Sequence, residues 1–330
     1  MKKFGLDLLD RKILYELDLD SRISFKELGK KLSIAKETAA FRVKRLQVRG
    51  YIKNFITTIH ISKLNRFYYK LFYKFHKTTP EIDEQIIDFI KNYRSTSYFA
   101  SLEGRYDIVF LILAKDMQDL RSFLVRFKER FSDYVLEQEI LTLPSVNRFN
   151  FRFFLPKKEV FHTKYPEQLA EPDIDDLDLL VIESLAKDSR ISLVDLAAAA
   201  KTEPNVIKYR MKKLTAAGIL GTHVLDINFE KFGLEHIQID YSLRNHSSVQ
   251  KMIASIAMMP QSTFATVTLG KYDLAVEFVV ESMEELRGII KTIKQAYANE
   301  VVNHDIFILQ EHSINWFPYE QRKRVPEKKA

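Results

Sequence analysis

Cysteine is absent from this chain, which excludes disulfide frameworks, thiolate zinc sites and cysteine nucleophiles. Long apolar runs are absent too. Nothing approaches the roughly 18 consecutive apolar residues that a membrane-spanning helix needs. The first nine residues are interrupted by Asp7 and carry no signal-peptide hydrophobic region. A soluble, cytoplasmic protein without a membrane partner is therefore expected. There is no phosphate-cradling Walker loop, no nucleophile elbow, no paired glycine-rich fingerprint and no HExxH. The eight histidines form no ligand-spaced cluster, and His60, His76, His236 and His304 read as surface or structural residues. Catalytic residues, a metal and a cofactor are accordingly not expected.

What is present is length, charge and repetition. A chain of 330 residues exceeds the usual size of one domain, about 100 to 200 residues, so at least two domains are expected. The net charge of +7 is unevenly placed. Residues 1–168 hold 32 Lys and Arg against 21 Asp and Glu, whereas residues 169–330 hold 19 against 23. A basic half attracts polyanions by neutralising phosphates and releasing counterions, which puts nucleic acid first among partners. A merely solvated lysine-rich surface has the same charge, so charge alone does not decide between them.

Self-comparison is more telling. Ser21-Arg22-Ile23-Ser24 recurs as Ser189-Arg190-Ile191-Ser192, 168 residues on. At that offset Leu9-Asp10 meets Leu177-Asp178, Glu27-Leu28 meets Asp195-Leu196, Arg42 meets Arg210, Leu46 meets Leu214 and Gly50 meets Gly218. Gly104-Arg105-Tyr106-Asp107 recurs as Gly270-Lys271-Tyr272-Asp273 with the offset slipped to 166, as a two-residue deletion in a loop produces. Two copies are too few for a solenoid. The pattern is a duplicated pair of domains joined near 155–172, where Pro156, Pro166 and Pro172 punctuate a polar stretch.

Each copy opens with three helical patterns. Leu9, Ile13, Leu14 and Leu17 share one face, and Ser24 with Glu27 makes a capping box before a short helix carrying Leu28 and Leu32. Ala39, Val43 and Leu46 form the inward stripe of a third helix that stops at Gly50. Two short helices joined by a tight turn, the second basic on its outer side, are the arrangement that places a recognition helix in the DNA major groove. From residue 51 the pattern turns to extended chain. A βαββαβ rhythm follows, with strands at 68–75, 97–103, 106–114 and 134–143 and helices at 81–93 and 117–131. The second copy follows it. Such a unit is a ferredoxin-like sandwich. Its open sheet face is expected to carry Tyr69, Phe72 and Phe75 and to be covered by the other copy. The fold class is thus α+β, two helix-turn-helix domains alternating with two ferredoxin-like domains. The divisions fall at 1–60, 61–155, a linker at 156–172, then 173–228, 229–320 and a basic tail at 321–330.

These residues resemble the Lrp/AsnC (feast/famine) regulators over nearly the whole chain, twice. The likeness is carried by Leu9-Asp10-Arg11-Lys12-Ile13-Leu14, by Asp20-Ser21-Arg22-Ile23-Ser24, by the stretch 38–46 ending in Gly50-Tyr51-Ile52, and by Gly104-Arg105-Tyr106-Asp107. It implies sequence-specific binding of double-stranded DNA, dimerisation through the ferredoxin-like sheets and sensing of an amino-acid effector. The chain departs from that pattern in holding two copies, which can pair as an internal pseudo-dimer and leave other surfaces for higher homo-oligomers. The family's Ser and Pro at the start of the recognition helix are Ala35 and Lys36 in copy one, and Glu203 and Pro204 in copy two. Loss of a side-chain cap typically costs about 1 kcal/mol, so the first recognition helix is expected to fray at its start.

With Ala39, Val43 and Leu46 inward, a rotation of about 100° per residue turns Glu37, Phe41, Lys44 and Arg45 outward. Lys36, Thr38 and Arg42 border this face. The same rotation exposes Asn205, Tyr209, Lys212 and Lys213, with Val206, Lys208 and Arg210 on the flanks. Lys and Arg suit phosphates or guanine edges, Asn205 an adenine, and Phe41 a thymine methyl group. Packing of Phe41 and Tyr209 against a neighbouring loop or the other module is the alternative. Residues 1–54 hold 14 basic and 7 acidic side chains against 7 and 8 in 172–222, so the first module is expected to dominate affinity.

Gly104 and Gly270 read as glycines of tight hairpins. The family resemblance adds a second role for these turns, an effector pocket formed by Gly104, Tyr106, Asp107, Gly270, Tyr272 and Asp273. Sirohaem decarboxylases are similar to the same family in fold and can pair two such halves. Their arginine-rich stretch after the recognition helix is not matched by Asn54-Phe55-Ile56-Thr57-Thr58-Ile59-His60. A regulator, not an enzyme, is therefore expected, with a scaffold that associates with other regulators as a third class.

Overall fold

The computed structural model describes residues 3–156, 159–164 and 169–318. Pro166 and the basic tail expected at 321–330 lie outside them. In the first copy, α1 (Leu8–Leu19) starts where the Asp7 carboxylate accepts the Asp10 amide at 2.8 Å. Then α2 (Phe25–Leu32) opens with the expected capping box between Ser24 and Glu27. Ser33, in the left-handed conformation at φ 56°, turns the chain into α3 (Lys36–Val48). As expected, Ala35 gives α3 no side-chain cap. The chain continues through β1 (Ile52–Ile59), β2 (Phe67–Phe75), α4 (Pro80–Asn92), β3 (Thr96–Glu103), β4 (Ile108–Ala114), α5 (Met117–Phe131) and β5 (Val135–Phe149). A short β6 (His162–Lys164) follows within the stretch expected to be linker.

The second copy repeats the order: α6 (Asp176–Lys187), α7 (Leu193–Ala199), α8 (Pro204–Ala216), β7 (Leu220–Ile227), β8 (Glu235–Leu243), α9 (Val249–Ala257), β9 (Ser262–Leu269), β10 (Leu274–Val280), α10 (Met283–Ala296) and β11 (Val301–Ile314). Among the described residues no helix is long and apolar enough to cross a membrane.

Each βαββαβ unit forms an antiparallel sheet, in the order β5-β2-β4-β3 in the first copy and β11-β8-β10-β9 in the second. The two sheets are joined at both edges. β3 pairs with β11, Leu102 opposite Leu309, and β5 runs on past β2 to pair with β9, Val146 opposite Thr266. Eight strands thus close a ring with no free edge, the arrangement that removes the unpaired amides an open sheet would expose. Helices α4 and α5 cover the first sheet from outside, Ile86, Ile90, Phe123 and Phe127 packing over Leu71, Tyr73 and Phe110. Between the sheets lie Phe72, Tyr106, Tyr272, Phe307 and Leu309, with Phe72 and Phe307 stacked at 5.5 Å.

The expected open face needs correction. Phe72 does point at the other copy, but Tyr69 lies in the cluster under the helices and Phe75 packs against it. Side chains alternate along a strand, so positions 69 and 75 share a face that position 72 cannot.

The helix-turn-helix modules are exchanged across the pair. β1 and β7 form a two-stranded antiparallel ribbon, Phe55 opposite Leu225. The first module rests on β7, where the Ser21 amide donates to the His223 carbonyl at 3.0 Å. The second rests on β1, where the Ser189 amide donates to the Phe55 carbonyl at 2.7 Å. The core of the first module, Leu14, Leu17, Leu28, Val43 and Leu46, is continuous with Phe151, Phe153, Phe154 and Phe232. That of the second, Val181, Leu185, Leu196, Ile207 and Leu214, is continuous with Ile59, Leu64 and Phe317.

Candidate nucleic-acid interface

The recurring Ser-Arg-Ile-Ser segment is where the two modules meet. The hydroxyls of Ser21 and Ser189 are 2.7 Å apart and fully buried. Arg22 donates to the Ser189 carbonyl, and Arg190 returns the bond to the Ser21 carbonyl at 2.6 Å. The Arg190 guanidinium also lies over the rings of Phe25 and Phe55, 4.5 and 5.1 Å from their centroids. These reciprocal bonds relate the modules by an approximate two-fold and fix how the recognition helices α3 and α8 sit relative to each other.

On α3, Ala39, Val43 and Leu46 are buried, while Lys36, Glu37, Thr38, Phe41 and Lys44 are exposed. On α8, Ile207 and Leu214 are buried and Asn205, Val206, Lys208, Tyr209 and Lys212 are exposed. Phe41 and Tyr209 are each 65% exposed, so neither packs against a neighbouring loop.

Four of the basic residues expected on this surface are turned back into their own modules. Arg42 bonds Asp7 at 2.6 Å and Asp10 at 3.0 Å, and Arg45 bonds the other oxygen of Asp10 at 2.7 Å. In the second module Arg210 bonds Asp175 at 2.7 Å and Asp178 at 3.2 Å, and Lys213 reaches Asp178 at 3.4 Å. Asp10 and Asp178 are buried at the start of the first helix of each module, and a buried carboxylate needs such partners. Partial burial raises the Asp7 and Asp175 carboxyls. The hydrogen bonds that Asp7 accepts from Arg42 and the Asp10 amide, and Asp175 from the Asp178 amide and Arg210, outweigh it, so both stay below the usual carboxylate range. Sequence reasoning missed these pairs, although their signal was present: Asp10, Asp178, Arg42 and Arg210 all recur at one offset, an acid and a base retained together.

The Gly-x-Tyr-Asp turns make close contacts within and across the sheets. Gly104 and Gly270 have φ of 149° and 140°, and a Cβ on either would clash across the barrel. It would sit 2.7 Å from the Ile306 carbonyl at Gly104 and 2.6 Å from Leu141 Cδ2 at Gly270. Tyr106 and Tyr272 are buried between the sheets, Tyr106 accepting from Lys271 at 3.0 Å and Tyr272 donating to Asp305 at 2.5 Å. Asp107 accepts from Lys74 at 2.5 Å and from the Phe75 amide at 2.7 Å. Asp273 accepts from the Leu243 amide at 2.7 Å and faces His246 Nδ1 at 3.3 Å. Both carboxylates thus tie one strand of their sheet to its neighbour.

The histidines are dispersed. His60 Nδ1 lies 2.9 Å from the Gly218 carbonyl, His236 bonds Glu277 at 3.0 Å and the His304 ring stacks on Tyr241. No group of three or more His, Asp or Glu able to hold a metal occurs among the described residues.

Taken together, these features define a protein with two helix-turn-helix modules mounted on a paired α+β barrel. Residues 6–47 match the AsnC-type helix-turn-helix domain and residues 174–220 match a winged helix-turn-helix DNA-binding domain. The chain is 31% identical over 131 residues to an uncharacterised HTH-type transcriptional regulator of Pyrococcus furiosus, covering 88% of that protein with 40% of its own length. It is 32% identical over 119 residues to the HTH-type transcriptional regulator Ptr1 of Methanocaldococcus jannaschii, covering 79% of that protein with 36% of its own length. The chain belongs to the Lrp/AsnC family, in a tandemly duplicated form. Over 92% of both chains its fold is similar to that of the sirohaem decarboxylase NirDL, at a TM-score of 0.63 and 12% identity.

Proposed function

We propose that this protein is a DNA-binding transcription regulator in which one polypeptide supplies both recognition helices of the dimer. The observation that carries this reading is the reciprocal Ser21–Ser189 and Arg22–Arg190 contact, which sets α3 and α8 in two-fold relation with their outer faces exposed. The residues proposed to meet DNA are Lys36, Glu37, Thr38, Phe41 and Lys44 on α3, and Asn205, Lys208, Tyr209 and Lys212 on α8. Arg42, Arg45, Arg210 and Lys213 support them by holding each recognition helix to the helix that opens its module. The pseudo-dimer forms because a short tether keeps the second half at about millimolar effective concentration relative to the first.

A small effector remains part of the proposal through the family resemblance. The geometry favours a structural role for the Gly-x-Tyr-Asp turns themselves, since Asp107 and Asp273 already bond their own strands.

The deciding experiment is selection of bound sequences from a random duplex pool. An enriched motif is expected, and retention without enrichment would defeat the reading. A second reading, a tetrapyrrole enzyme, is favoured only by that fold match. A ligand of that size needs a cavity of several hundred Å³, whereas the space between the sheets holds Phe72 in ring contact with Tyr106, Tyr272 and Phe307. Titration with an iron tetrapyrrole, followed by its absorption band, separates the two.

A further inference from the structure

The two modules share a frame but present different faces to whatever they bind. In α2 the exposed residues include Lys26, Lys30 and Lys31, with Lys31 paired to Glu16 at 3.0 Å. The residues 168 positions on, in α7, are Val194, Ala198 and Ala199, all exposed, Val194 by 66%. This is the helix that crosses the DNA backbone in a helix-turn-helix. On the recognition helix Lys36 is replaced by Pro204, Glu37 by Asn205, Thr38 by Val206 and Phe41 by Tyr209, and beyond it Arg49 by Ala217. The second module gains cations at Lys187, Lys201 and Lys208, opposite Leu19, Ser33 and Ala40, and of these only Lys208 lies on the recognition helix. Neither change is forced by packing, because every one of these side chains in the second module except the half-buried Pro204 is exposed.

We infer that the two modules read unlike half-sites of one non-palindromic operator, the second of them A·T-rich and bound through fewer phosphate contacts than the first. This rests on the DNA-binding reading above. The first module has the cations for a phosphate-anchored site, with Lys44 and Lys36 suited to guanine or phosphate and Glu37 to the cytosine amino group. The second offers Asn205, whose amide matches adenine in the major groove, beside Val206 and Tyr209, whose apolar surfaces suit thymine methyl groups. Apolar contacts release no counterions, so the second half-site adds sequence discrimination with a shallow salt dependence.

Three measurements test this on the full chain. Selection from a random duplex pool should return two dissimilar half-sites about one helical turn apart, one A·T-rich. A palindromic motif would overturn the inference while leaving the DNA-binding reading intact. No enriched motif at all would overturn the DNA-binding reading first.

The second measurement restores the lost cations. The Val194→Lys and Ala198→Lys double variant places both on an exposed face, so it should fold as the parent does. If α7 lies along the backbone, the slope of log affinity against log salt should steepen by about 1 to 2, since each phosphate contributes about 0.9. Binding at low salt should rise about tenfold. An unchanged slope would show that α7 does not lie along the DNA backbone, which overturns the inference.

Third, Asn205→Ala should weaken selection for A·T pairs in one half-site only. A loss spread equally over both half-sites would also count against it.

Discussion

At the scale of single residues, the charged groups inside the barrel give the sharpest expectations. Asp240 is fully buried, and burial pushes its carboxyl up to about 6 against the opposing pull of Lys70 and a hydrogen bond from Gln238. Lys70, itself buried, donates to Gln238 at 2.6 Å. A carboxyl whose folded value lies above its unfolded value of about 3.9 holds its proton longer in the folded state. Its contribution is therefore fully present below about pH 4, falls as pH rises toward 6, and is level above that. Asp240→Asn keeps the acceptor that Gln238 uses and removes the titration. Thermal scans should show a flatter dependence between pH 4 and 6 and a higher melting temperature at pH 7.5, reflecting a stability gain on the order of 1 kcal/mol or more. A variant that melts lower at pH 7.5 would show that the Asp240 charge stabilises the Lys70 ammonium by more than its own burial costs. Gly104→Ala is expected to destabilise by about 2 kcal/mol or more, from positive φ and from contact with the Ile306 carbonyl. Urea unfolding measures it. That Gly104 sits in a turn was legible from its place between two strand patterns. Its closeness to β11 was not, because that strand lies some two hundred residues further along the chain.

At the scale of elements, helix and strand identity followed from period and caps, whereas long-range pairing did not. The capping box at Ser24 and Glu27, the stripe Ala39, Val43 and Leu46, and the stop at Gly50 were all readable because each signal is local. The strand expected at 134–143 runs instead to Phe149, because its second half pairs with β9, a partner visible only in three dimensions. The same limit applies to the recognition helices. Rotation around α3 correctly exposes Glu37, Phe41 and Lys44, but Arg45 is captured by Asp10, which belongs to another helix. Reversing Lys36 and Lys44 to Glu should therefore weaken DNA binding by an order of magnitude or more and leave unfolding almost unchanged. Arg45→Ala should act mainly on stability, lowering it by about 1 to 3 kcal/mol, since Asp10 keeps only Arg42. Titration of a labelled operator beside urea denaturation distinguishes these effects. Equal loss of affinity in both variants at full folding would place Arg45 on the DNA after all.

At the scale of the whole molecule, the closed ring of strands follows from duplication. A ferredoxin-like sheet leaves two edges and one apolar face unsatisfied, and a second copy on the same chain satisfies all of them at once. The joins β3 to β11 and β5 to β9 leave no pair of edges for another chain to use. In this pairing each half meets the other and not a copy of itself, so the two are free to diverge. Arg148, on β5, makes a fully buried ion pair with Asp18 of the first module, and Asp18 also accepts the Phe151 amide at 2.7 Å. The equivalent of Asp18 in the second module is Ala186. The native absence of cysteine offers a direct check on intramolecular pairing. Ser101 on β3 and Gln310 on β11 are register partners, close enough in such a pair for a disulfide. The Ser101→Cys and Gln310→Cys double variant, oxidised at micromolar concentration, should give a cross-linked single chain that migrates faster than its reduced form on a denaturing gel. The fraction cross-linked should not depend on protein concentration from about 1 to 50 μM, because the tether sets the local concentration. Association of whole molecules through other surfaces would leave this result unchanged. Disulfide-linked chain pairs whose yield rises with concentration would instead show that the halves exchange between molecules, and the single-chain pseudo-dimer would have to be abandoned.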